Sequence, residues 1–161
     1  MSTGAIRLGT TGLSDDALVE EFESCRLPAS LFHHADHIRL AWIYLGRTNE
    51  AEATARIEKC IRQFAAHNGV SEKYHHTMTL AWMRLVAAAR QAAPEAQAFD
   101  VFAERNPELF DVKTLGRYYS AEQLARREAQ FGWVEPDIHL LPETATAVPG
   151  STTGGAPATR E

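Results

Sequence analysis

Apolar residues in this chain recur at steps of three and four, and no stretch alternates apolar with polar residues. Such spacing gathers each set on one face of a helix, whereas a two-residue period would build strands. The chain therefore reads as all-α: a single-domain helical bundle of about five to seven helices with a C-terminal extended strap. Leu18, Phe22 and Cys25 form the first stripe, Ser14 stands where a cap belongs, and Leu27-Pro28 ends the run. A second helix opens within residues 30–34 and closes at Gly46. Its stripe is Ile38, Ala41, Trp42 and Leu45, which His34 extends backwards by four. Asn49 with Glu52 is a capping-box signature, and the helix that follows carries Ile57, Cys60, Ile61 and Phe64 until Asn68-Gly69 stops it.

A fourth helix is predicted from near Tyr74 to about Gln91. Pro94 suits the first turn of a fifth through Phe99 and Phe102, Asn106-Pro107 opens a short one, and Ser120 with Gln123 opens the last. Val134, Pro136, Asp137 and Pro142 favour the extended strap over 133–142. Residues 1–13 and 143–161 are dominated by small and polar side chains, and are expected to be disordered because they bury too little to offset ordering entropy. The helical domain is thus placed at 14–142.

Charge and composition narrow the function classes. A net charge of -5 with acidic and basic residues interspersed argues against a nucleic-acid partner, which calls for a basic face. No run approaches the ~20 apolar residues of a membrane span. The N-terminal residues lack the apolar core of a secretory signal, so the expectation is cytoplasmic, with no membrane partner. The two cysteines, Cys25 and Cys60, sit at helical positions and read as buried thiols.

Five of the seven histidines fall in two clusters, His33-His34-x-x-His37 and His75-His76, each leading into a tryptophan-bearing helix. Imidazole is a common transition-metal ligand and titrates near neutral pH. Residues three or four apart share a helical face, so His34 and His37 project together. A zinc-type site needs a third ligand, and His75, at an equivalent helix mouth, is the natural donor. The expected metal ligands are therefore His34, His37 and His75, holding a divalent transition metal (Zn, Cu, Ni or Fe). His76, Tyr74 and Thr77 are the candidate catalytic groups, with His76 as a fourth ligand or general base. Arg39, Tyr118 and Tyr119 are candidates for binding a small, anionic substrate. His67 and His139 read as structural and solvated. The signal has limits: His-x-x-His alone is weak, and no metalloprotease, di-iron or zinc-finger pattern accompanies it.

Phe32-x-His34-x-x-His37, Tyr74-His75-x-Thr77, Tyr118-Tyr119-Ser120 and Val134-Glu135-Pro136-Asp137 together resemble a family of small, uncharacterised all-α bacterial proteins. That family carries a His-x-x-His helix, a Tyr-His-Glu-Thr motif and a Pro-Asp strap. The resemblance spans about residues 14–142, brings no activity with it, and implies that His34, His37, His75 and Thr77 belong together. His76 stands where the family pattern has glutamate, replacing an anionic ligand or base by a neutral one. Two main readings stay open: a mononuclear histidine metal site, of a hydrolase or an oxygenase, and a non-enzymatic binding or interaction module whose histidines are structural. A third, a metal-free small-molecule binder, predicts a deep pocket with hydrogen-bonded histidines.

Overall fold

A computed structural model describes residues 6–145. Among these residues the regular structure is entirely helical, with no strand. The α-helices are α1 (Asp15–Glu23), α2 (His34–Arg47), α3 (Glu50–His67), α4 (His76–Ala92), α5 (Phe99–Arg105), α6 (Ala121–Leu124) and α7 (Arg127–Phe131). Short 3-10 turns at Ala29–Leu31, Ser71–Lys73, Pro107–Phe110 and Val112–Arg117 join them. No helix among the described residues is long and apolar enough to cross a membrane.

Helix α2 is the centre of the fold, packing against α1, α3 and α4. It buries Ile38, Leu40, Ala41, Trp42, Ile43 and Tyr44, more than one face of a surface helix supplies, because neighbours cover it on several sides. Helix α3 buries Ile57, Cys60 and Phe64 in the shared core, and α4 buries Ala81, Leu85 and Val86. The caps are those of the sequence: Ser14 accepts from Ala17 N–H, Asn49 from Glu52 N–H and Ser120 from Gln123 N–H. Cys60 is buried, whereas Cys25 is only half-buried and takes a left-handed φ of 61° after the end of α1.

Several boundaries differ from expectation. Helix α5 starts at Phe99 rather than near Pro94. The helix expected from Ser120 to Phe131 is broken at Ala125-Arg126, so that α7 begins anew and packs on α4. The disorder expected for 1–13 fails over residues 6–13. Asp36, fully buried, accepts hydrogen bonds from Gly9 N–H, Thr10 N–H and the Thr10 hydroxyl, as well as from His33 N–H. Gly9 runs so close to Leu31 that a Cβ there would come within 2.0 Å of the Leu31 carbonyl oxygen. At the other end Thr144 is buried and its hydroxyl bonds to Glu50. The remaining expected disorder, at 1–5 and 146–161, lies outside the described residues.

Candidate functional site

The N-terminal ends of α2 and α4 meet beside α3, and a cavity of about 310 Å³ opens between them. His33, His34, His37 and His75 all line it, together with Phe32, Tyr74, Met78 and Trp82. The three imidazoles expected to share a site, His34, His37 and His75, thus line one cavity. What each imidazole does there is set by its hydrogen bonds.

His75 is the N-cap of α4, and its Nδ1 accepts the Met78 backbone N–H at 3.1 Å. Its Nε2 lies 2.8 Å from the Leu124 carbonyl oxygen, which can only accept, so Nε2 carries the proton. Both ring nitrogens are committed to backbone, and the ring has no lone pair free for a metal. His34, in the first turn of α2, donates Nε2–H to the Leu109 carbonyl at 2.8 Å. Its Nδ1 lone pair remains. The ring stands edge-on to Trp82, with centroids 4.5 Å apart. In both cases one histidine at a helix mouth ties that helix to a leucine carbonyl from the C-terminal third of the chain.

His37 differs from these two. Its ring stacks on Phe32 at 4.0 Å, and Phe32 in turn packs against Phe22 and Phe64. No group among the described residues hydrogen-bonds either of its nitrogens. Burial, reinforced by the neighbouring His34 ring and only partly opposed by Asp36, pushes its pKa down to about 4. Burial likewise lowers the pKa of His34, with the Leu109 carbonyl and Asp111 pulling the other way. Near neutral pH the cavity therefore presents uncharged imidazole in a largely apolar wall.

These bonds bear directly on the metal expectation. With His75 committed and one nitrogen of His34 used, His34 Nδ1 and the His37 ring keep donor atoms, and His33 stands at the same cavity. Among the described residues no group of three or more His, Cys, Asp or Glu side chains is arranged to hold a metal ion.

The other candidates are placed as follows. Tyr74 lines the cavity, but its hydroxyl reaches outward to His76 Nδ1 at 3.1 Å. His76 faces α3, where Arg62 and Glu58 also approach it, at 3.4 and 3.5 Å. Burial raises the Tyr74 pKa, so its hydroxyl is a donor rather than a nucleophile. Thr77 is fully buried, donating to the Gly132 carbonyl at 2.7 Å and accepting from Val134 N–H at 3.2 Å. Tyr119 is also buried and donates to the Val134 carbonyl at 2.9 Å. Tyr118 is half-buried, and its carbonyl accepts from Ile138 N–H. Arg39 spends its guanidinium on the Thr10 and Leu13 carbonyls and on Asp15. Thr77, Tyr119 and Arg39 thus each tie distant segments together, as buried donors are held by backbone acceptors. Phe32, Met78 and Trp82 were missed as lining residues; only Phe32 had a signal, its place beside the His-x-x-His motif.

A second, larger cavity of about 810 Å³ lies on the other side of His33 and His34, between the N-terminal segment and α5. Phe99, Ala103 and Phe110 give it an apolar floor, and Asp100, Glu104 and Asp111 an acidic rim.

No family model matches the chain, and neither a curated protein nor a solved structure matches it.

Proposed function

We propose that the chain is a metal-free binding module that takes a small, neutral, partly aromatic molecule into the cavity between α2, α3 and α4. The observation that carries this reading is His37: an uncharged, stacked imidazole without a hydrogen-bond partner among the described residues, lining a cavity of about 310 Å³. That size lies at the lower end of small-molecule sites, which combine apolar walls with a few placed polar groups. A ligand hydroxyl or amide N–H would satisfy the free imidazole lone pair, and the rings of Phe32 and Trp82 would flank its body. The imidazoles of His34 and His37 bring no charge to the cavity, whose lining also includes the cationic Lys73. On this reading residues 14–142 form one bundle, and 133–142 is a strap that Thr77 and Tyr119 hold in place. The free thiols suit a reducing, cytoplasmic setting.

The test compares phenol with toluene, equal in shape but lacking the hydroxyl. Phenol should bind with a Kd on the order of 1 mM, as befits so few atoms, and more tightly than toluene. His37→Phe should abolish the difference, read from imidazole and amide shifts by NMR. Equal binding of phenol and toluene by the wild-type protein would overturn the reading. Tag-free protein titrated with Zn, Cu, Ni and ferrous ions provides the opposing test. A stoichiometric ion that is lost in the His34→Ala, His37→Ala double variant would restore the metal site in its place.

A further inference from the structure

At the opposite ends of α2 and α4, roughly 13 Å of helix rise beyond His37, lies an arginine that no carboxylate among the described residues pairs. Most arginines of the described chain have a carboxylate within ion-pair distance, such as Arg39 with Asp15, Arg56 with Glu23 and Arg84 with Glu50. Arg90 is the half-buried exception among the described residues. Its guanidinium lies over the Trp42 ring, 4.6 Å from the centroid. Its Nη1 and the Trp42 Nε1 are buried without a hydrogen-bond partner among the described residues, and both are donors. Burial lowers the Arg90 pKa, the mark of a charge removed from water without compensation.

The place is built for the guanidinium. Gly46, in the last turn of α2, lies so close that a Cβ there would stand 2.6 Å from Arg90 Nη2. Beside it is a cavity of about 290 Å³, lined by Arg90, Gln91 and Asn49 on the polar side and by Leu45, Ala87 and Pro94 on the apolar side. Glu50 also borders it, but its carboxylate is held by Arg84 at 2.8 Å and by the Thr144 hydroxyl. The structure thus offers an uncompensated planar cation beside a short apolar wall in one recess.

We propose that this recess binds a small monocarboxylate, its carboxylate on Arg90 and its apolar body against Leu45, Ala87 and Pro94. The planar fork of an arginine matches a carboxylate in two parallel hydrogen bonds, which restores the missing countercharge. This site is independent of the histidine cavity.

Benzoate is the probe and benzamide, of the same size but uncharged, is its control, both titrated into the full chain by calorimetry with the indole N–H resonances followed by NMR. Benzoate should bind one to one, at least tenfold more tightly than benzamide, and should shift the Trp42 indole signal while leaving those of Trp82 and Trp133 in place. Arg90→Gln should reduce benzoate affinity at least tenfold, and Arg90→Lys should recover part of it. Equal binding of benzoate and benzamide by the wild-type protein overturns the proposal whether or not the variants fold. So does benzoate affinity unchanged in Arg90→Gln, or a shift confined to another indole. In each case the guanidinium would be a stacking group for Trp42 and no more.

Discussion

His37 shows how a single ring acquires its character from its surroundings. Its pKa falls from 6.5 to about 4 because the charged form would lose hydration beside Phe32 and face the His34 ring. Between those two values the unfolded chain binds a proton that the folded chain does not. Stability should therefore fall as the pH drops from about 6.5 and level off near 4, by on the order of 3 kcal/mol at most. The lowered pKa of His34 acts with the same sign. Urea midpoints measured at pH 7 and pH 4.5 check this. His37→Phe should show a clearly smaller drop than the wild type, and an equal drop would mean that the ring protonates freely in the fold. Asp36 makes the complementary point among acids. Four donors converge on it, from Gly9, Thr10 and His33, so Asp36→Ala should cost about 3 kcal/mol or more, because buried N–H and O–H groups are left unmet. The variant should also expose residues 6–13 to limited proteolysis.

Among the elements, the N-termini of α2 and α4 carry most of the site, and their histidines do two tasks. His75 caps α4 and fastens it to Leu124, while His34 fastens α2 to Leu109. His75→Ala should lose a cap and a cross-chain hydrogen bond together, roughly 2 kcal/mol by denaturant unfolding. His75→Asn should recover the capping part alone, since its shorter side chain reaches Met78 N–H but not the Leu124 carbonyl. A metal ligand would behave differently, with stability losses that depend on added metal. The break between α6 and α7 also belongs to this scale. Ser120 caps the first, as its sequence suggests, and the chain then turns so that Arg126 leads into α7 and its packing on α4.

At the scale of the molecule, the segments at 9–15 and 132–144 are drawn onto the central helices by polar side chains. Residues 9–15 are held by Asp36 and Arg39. Residues 132–138 are held by Thr77, Tyr119 and Ser120, and Thr144 by Glu50. Thr77→Val keeps the shape but leaves the Gly132 carbonyl and the Val134 N–H unsatisfied, for an expected cost of about 2 kcal/mol. Hydrogen exchange provides the check: the Val134 amide should exchange faster in the variant, while amides in the middle of α3 keep their protection. Unchanged exchange at Val134 would show that residues 132–138 are held by other contacts.

Helix class and caps were legible because both are local. The period of three and four fixes the buried face of α1 to α4, and Ser14, Asn49 and Ser120 satisfy N–H groups only three residues away. The gathering of His34, His37 and His75 at one cavity was legible for the same reason, since each stands at a helix start. Tertiary structure decided what those rings do. Leu109 and Leu124, which claim His34 and His75, lie 75 and 49 residues away in sequence, and no local pattern announces a backbone carbonyl as a partner. Residues 6–13 look disordered by composition, yet Gly9, Thr10 and Leu13 are held by Asp36 and Arg39, more than twenty residues on. The lone charge of Arg90 is likewise invisible in one dimension: it is set apart by being half-buried with no acid beside it among the described residues. Periodicity records which face is buried, but hydrogen bonds and countercharges are settled between segments, and only the folded chain brings those segments together.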